Sequence, residues 1–163
     1  MSENSPASPP FGQRGEIYVL IQCLLLGLLV FAPRHIDAWS WSILPDGLQM
    51  VGSLLAALGA AVAIAAGFQM GRRLTPLPYP AKEARLLTRG VYAWIRHPMY
   101  FGVIAMSVGW ALYVRGALTL AYAAAVVVFF DVKSRREEIW LEQHFAGYAE
   151  YRRRVRKLIP FLY

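Results

Sequence analysis

Met99–Phe130, MYFGVIAMSVGWALYVRGALTLAYAAAVVVFF, runs for 32 residues with one charge, Arg115, set beside Gly116 near its middle. About 20 helical residues cross the roughly 30 Å of bilayer hydrocarbon, so one span cannot use the whole stretch. Folding it at Tyr113 to Gly116 gives a tight helical hairpin, whose halves are short and rely on bilayer thinning or snorkelling flanks. Two further apolar stretches precede it. Gly47–Met70 holds 24 uncharged residues, enough for a span. Its Gly52, Gly59 and Gly67, with Ala56, Ala60 and Ala63, offer a small-residue face that another helix can approach closely. Ile17–Ala32, apolar except for Gln22, is short for a span at 16 residues. Val30 and Ala32 fit a signal-peptide cleavage site, but Pro33 would follow the cut, which favours a retained first span. Trp39 and Trp41 suit interface anchors.

Of the 163 residues, 57% are apolar before glycine is counted, whereas a soluble domain reaches about 45–50% with glycine included. Four spans would use about half the chain, so any active site is built from helix ends and loops. The expected fold is all-α: a polytopic membrane protein with four transmembrane helices, the last two a C-terminal hairpin, plus a cytoplasmic loop and an interfacial tail helix. It forms one membrane-embedded domain over 1–163. Residues 1–16 are a loose tail, 17–98 hold two spans and the loop, and 99–163 hold the hairpin and the tail. Four spans put fifteen of the 17 Lys and Arg on one side and leave only Arg34 and Arg115 on the other. The positive-inside rule then places both termini in the cytoplasm. This asymmetry accounts for the net charge of +7 without nucleic acid, for which no recognition module is visible. The lone Cys23 excludes a disulfide frame and a cysteine metal site, and no metal is expected.

Two segments are richer in detail than connectors need. Gly71–Pro98 contains Pro76, Pro78 and Pro80, a permissive Gly90, and then Arg96-His97-Pro98. Pro98 suits a first helical position with His97 near the cap. Free backbone donors at Met99 to Phe101 could then hold an anion such as a small cofactor's carboxylate; the plainer reading is a helix start at the interface. Beyond the hairpin, Lys133 and Glu137 are four apart and share a helix face. They form either a solvated charge pair or, with the helix continuing out of the membrane, a site where Glu137 meets a ligand's ammonium or hydroxyl donors. Tyr148, Tyr151 and Val155 alternate with Arg152, Arg153, Arg154, Arg156 and Lys157, as in an interfacial helix on anionic lipid.

Arg96-His97-Pro98-Met99-Tyr100-Phe101-Gly102, a hairpin, Glu137-Glu138 and Phe145-Ala146-Gly147-Tyr148-Ala149-Glu150-Tyr151, in that order, resemble the isoprenylcysteine carboxyl methyltransferase family and the kindred phospholipid methyltransferases. The resemblance covers roughly Leu86 to Pro160; the first two spans share only hydrophobicity. It implies an S-adenosylmethionine pocket on the cytoplasmic side, closed by the loop and the tail. Position by position, it implies that Leu86, Leu87, Tyr92, His97, Pro98 and Tyr100 line that pocket, with Met99 at the motif's variable place and Glu137 as an acidic cofactor contact. Relatives carry a substrate-binding arginine four residues before that glutamate, where this chain has Lys133. Lysine keeps the charge but loses the planar two-pronged grip on a carboxylate. The acceptor class is therefore open among carboxylate, phenol, thiol and lipid amine, all lipophilic or delivered by the bilayer.

Methyl transfer suits a membrane boundary. When an anionic nucleophile attacks a sulfonium methyl, the two charges fade together, so a dry pocket that aligns the pair outperforms water. A carboxylate acceptor needs no base, whereas a phenol, thiol or ammonium must lose a proton, and the sequence names no base for that role. Membrane sterol and lipid reductases that use NADPH carry a similar Arg-His-Pro motif. They have Asn at the place of Met99 and Glu at that of Val103, so both positions favour the methyltransferase. A non-catalytic small membrane protein is the remaining alternative, and the scarcity of polar groups within the first two spans argues against transport.

Overall fold

The computed structural model describes residues 15–31, 47–71, 86–160 and 162–163. The expectations for the 1–14 tail, for Trp39 and Trp41, and for the loop's Pro76, Pro78, Pro80 and basic residues up to Arg85 lie outside them. The described residues are all-helical: α1 (Glu16–Phe31), α2 (Gly47–Met70), a 3₁₀ turn (Gly90–Ala93), α3 (Pro98–Val114), α4 (Ala117–His144) and α5 (Tyr148–Arg154). A parallel β-bridge pairs Ile95 with Arg156. α2 and α4 are long and apolar enough to cross a membrane, and α1 and α3 are shorter apolar helices.

Local sequence sets most boundaries. α2 stops at Gly71, whose φ of 57° is left-handed and suits glycine. Pro98 opens α3 with His97 at its N-cap. α3 ends at Arg115 with φ 60°, and Gly116 starts α4, so the 32-residue stretch folds where its lone charge sits. α4 then runs 28 residues, carrying the helix from the apolar segment that ends at Phe130 out past Glu137 and Glu138.

α2 and α3 pack back to back through glycine. A Cβ at Gly52 would lie 2.6 Å from the Gly109 carbonyl oxygen, and one at Gly59 would lie 2.6 Å from that of Gly102. Backbones that close leave no space for a side chain and gain dispersion and Cα–H···O contact. Ala56 and Ala63 complete this face, against Gly109 and Gly102. Gly67 does not belong to it, because a Cβ there would meet nothing within 4 Å. On the hairpin's other flank, α1 closes a cluster of Leu29, Ala111 and Ala123 with Leu26, Val108, Trp110 and Tyr122. The outer faces stay apolar: Leu24 is 62% exposed, Leu54 64% and Phe68 83%. Such surface suits hydrocarbon rather than water.

Gly59→Ala is expected to destabilise the protein by about 1–3 kcal/mol, because the methyl group must push two backbones apart. Gly67→Ala should cause no loss. Thermal unfolding of both variants in detergent checks this, and equal midpoints would contradict the close-packed interface.

Candidate functional site

The site lies where the segment entering α3, the far end of α4 and the chain after α5 meet. The amides of Arg96 and His97 precede α3 and have no helical acceptor, and the tail supplies one for each. The Arg96 amide donates to the Arg156 carbonyl at 2.8 Å and the His97 amide to that of Lys157 at 3.1 Å. The Arg96 guanidinium donates to the carbonyls of Arg152, at 3.0 Å, and Val155. Tyr151 in α5 sends its hydroxyl to the Tyr92 carbonyl at 2.6 Å, and the Tyr92 hydroxyl reaches Ala66 of α2 at 3.5 Å. Gly90, at φ 61°, lets the loop pass against the Gln69 side chain.

At the centre is a buried carboxylate, Glu138. Its Oε1 accepts from Arg96 Nε at 2.8 Å and lies 3.1 Å from His97 Nε2, while Arg152 Nε stands 3.6 Å from its other oxygen. Burial by itself would raise the carboxyl's pKa, but the hydrogen bonds from His97 and Arg96 outweigh it and bring the value down to about 2. Burial, reinforced by the charge of Glu137, pushes the Tyr92 phenol up to about 12, so it stays a neutral donor.

Glu137 points elsewhere. With Met70, Tyr92, Arg96, His97, Pro98, Met99 and Tyr100 it lines a hollow of about 60 Å³, room for one small polar group and less than a nucleoside. The Tyr100 hydroxyl donates to Glu137 Oε2 at 2.6 Å, and His97 Nδ1 lies 3.8 Å from the same oxygen. The His97 and Tyr100 rings stack in parallel, with 5.3 Å between centroids and 2° between planes. Arg96 already neutralises Glu138, so the hollow keeps one carboxylate, Glu137, to attract a cation or hydroxyl donors. Flat aromatic walls stand beside it. Nothing among the described residues groups three or more His, Cys, Asp or Glu in a way that could hold a metal ion.

Of the residues singled out in the sequence, Tyr92, His97, Pro98, Met99, Tyr100 and Glu137 come together here. Leu86 and Leu87 are half-buried and do not line the hollow. Lys133 does not line it either: the side chain is buried, donates to Gln22 Oε1 of α1 at 2.7 Å, and lies 5.2 Å from the centre of the Tyr100 ring. Among the expected free donors, the Phe101 amide is already bonded to the His97 carbonyl at 3.0 Å. The tail is not a simple lipid anchor, since Tyr148, Tyr151, Lys157 and Leu158 are buried while Arg153, Arg154 and Arg156 remain exposed. Sequence reasoning missed Met70 as part of the site and named Arg96 and Glu138 only within their motifs, with no role for either. Adjacent glutamates on a helix point about 100° apart, and that angle was the available signal that Glu137 and Glu138 serve different neighbours.

Glu138→Gln is expected to cost about 3 kcal/mol at neutral pH, because the Arg96 charge is left buried without its partner. Glu138 titrates lower in the folded chain, about 2 against an ordinary 4.5. Its contribution is therefore complete above pH 4.5 and lost as pH falls toward 2. Unfolding midpoints measured down that range should decline more steeply for the native chain than for the glutamine variant.

Comparisons with known proteins bear on the family of the chain. The profile of the phospholipid methyltransferase family matches residues 48–147. The protein-S-isoprenylcysteine O-methyltransferase of Homo sapiens is 35% identical over 120 residues, covering 71% of this chain and 42% of that protein. The Saccharomyces cerevisiae protein of the same name is 30% identical over 149 residues, covering 89% of this chain and 61% of its own. The solved structure of a eukaryotic intramembrane Ras methyltransferase, an isoprenylcysteine carboxyl methyltransferase, aligns with a TM-score of 0.64 at 28% identity, over 90% of this chain and 52% of that one. The chain thus spans 42 to 61% of the length of these relatives. With the matched stretch running from the start of α2 through the hairpin to both glutamates, the chain belongs to the phospholipid methyltransferase family and stands with its isoprenylcysteine carboxyl methyltransferase-like members.

Proposed function

We propose that the protein is an S-adenosylmethionine-dependent integral membrane methyltransferase acting on a lipophilic or bilayer-delivered acceptor. The observation that carries this reading is the convergence of Glu137, Tyr100 and His97 on one hollow. S-adenosylmethionine, when bound, supplies an electrophilic methyl group on a sulfonium. The donor set fits the cofactor: the Glu137 carboxylate would hold its ammonium or ribose hydroxyls, and the aromatic faces of Tyr92, His97 and Tyr100 its flat or cationic parts. Tyr100 fixes the Glu137 carboxylate by its hydrogen bond, and Pro98 and Met99 close the wall. A hollow of about 60 Å³ must widen to admit a whole cofactor. The Glu137 carboxylate disfavours a reductase, because the phosphates of NADPH would face it.

In this reading four helices cross the bilayer, both termini face the cytoplasm, and the site opens on that side. Fifteen basic residues on one side support the orientation. The relatives are named for methylating isoprenylcysteine, and a lipid-modified acceptor reaching the site sideways from the bilayer is the corresponding substrate class here. Lys133 is the acceptor-positioning residue of this reading, buried between Gln22 and the Tyr100 and Phe130 rings. Burial in that setting gives its single charge a long reach.

Calorimetry in detergent with S-adenosylmethionine, S-adenosylhomocysteine and NADPH tests the cofactor. Binding of the first two is expected, and a response to NADPH alone overturns the reading. Glu137→Gln should weaken S-adenosylmethionine binding about tenfold, near the 1.4 kcal/mol of one charge-assisted hydrogen bond, without lowering the unfolding midpoint. Lys133→Ala should raise the acceptor KM and spare cofactor affinity; loss of cofactor binding instead would move Lys133 to the other half of the site.

A further inference from the structure

Outside the hollow, the described residues contain one other dense polar cluster, on Asp131 of α4. Its Oδ1 accepts from Lys157 Nζ at 2.6 Å and from the Tyr163 hydroxyl at 2.9 Å, and its Oδ2 accepts from Arg135 Nε at 2.8 Å. Lys157 also donates to the Asp131 carbonyl at 3.1 Å, and its ammonium lies 5.4 Å from the centre of the Tyr163 ring. The Tyr163 carbonyl in turn accepts the amides of Leu158, at 2.8 Å, and Ile159, at 2.7 Å, so the chain folds back on itself at this point. None of these groups lines the hollow.

The cluster is tied to the hollow through the backbone. Lys157, whose side chain is gripped by Asp131, uses its carbonyl to receive the His97 amide at 3.1 Å, and Arg156 next to it receives that of Arg96 at 2.8 Å. His97 and Arg96 line the hollow. They have left the loop and not yet entered α3, so these two bonds are what their amides have in place of helical partners. We propose that Asp131 is a positioning residue: by clamping Lys157 it fixes the 155–158 strap, and the strap holds Arg96 and His97 in register with Glu138 and Glu137. Arg135 is 66% exposed and adds little, whereas the Lys157 side chain is only 8% exposed and its ion pair is correspondingly specific. Breaking the pair frees the strap, and the site opens from the tail side while the α2–α3 packing stays as it is.

The clamp is independent of which ligand the hollow takes, but its effect on affinity rests on the methyl-donor reading above. Hydrogen–deuterium exchange in detergent separates the two. In Asp131→Asn and Lys157→Met, the Arg96 and His97 amides are expected to exchange at least tenfold faster, with Gly52–Ala66 and Gly102–Ala111 unchanged. Lys157→Arg, which keeps the ion pair, should restore native exchange. Unchanged exchange at Arg96 and His97 overturns the proposal, and so does uniform acceleration across all helices, which marks a general structural pair. Calorimetry on the same variants should show S-adenosylmethionine bound about tenfold more weakly. Faster exchange in chains that bind no S-adenosylmethionine even in native form upholds the clamp and rejects the methyl donor.

Discussion

A carboxylate withdrawn from water must be met by donors, and the site is organised around meeting one. Glu138 draws in Arg96 and His97 from the segment before α3 and has Arg152 of the tail nearby. Arg96 Nη1 donates to two tail carbonyls as well. Three stretches far apart in sequence are thereby joined at one buried group, an arrangement that is stable only when every member is present. The neighbouring Glu137 is released from this duty by the helical turn between them and faces the hollow. One carboxylate is tied into the fold and the next faces the hollow.

The second constraint acts from within the apolar body. Because Gly52 and Gly59 let α2 lie against the backbone of α3 at Gly109 and Gly102, the end of α2 arrives beside the loop at a fixed height. Met70 becomes part of the hollow, and Ala66 and Gln69 meet Tyr92 and Gly90. Helices in lipid gain little from hydrophobic contrast and must win association through close contact, so the glycine spacing also sets the geometry of a site at the helix ends.

The family match and the site do not have the same extent. The matched residues, 48–147, carry the hollow's lining and both glutamates. The strap at 155–158 and Gln22, which receives the Lys133 ammonium, lie outside them. Lys133 is gripped from outside the matched stretch, by the Gln22 amide oxygen of α1 at 2.7 Å. A compact ammonium suits a single acceptor such as the Gln22 amide oxygen, whereas a guanidinium presents a two-pronged fork.

What the sequence determined by itself was everything encoded by nearest neighbours and by period. The lengths of α1 and α2, the hairpin break at Arg115-Gly116, the start of α3 at Pro98 and the passage of α4 beyond Phe130 follow from runs of apolar residues punctuated by Gly, Pro and charge. The Arg96 to Gly102 and Glu137-Glu138 motifs marked where chemistry gathers. Tertiary structure decided which of two adjacent glutamates is buried, that Gly67 stands off the α2–α3 contact, that Lys133 turns to α1, and that the tail's tyrosines and Lys157 face inward. The physical reason is the range of the forces. Helix formation and partition into lipid are read from a few consecutive residues, whereas satisfying a desolvated charge needs donors from anywhere in the chain, and only the folded backbone says which ones arrive.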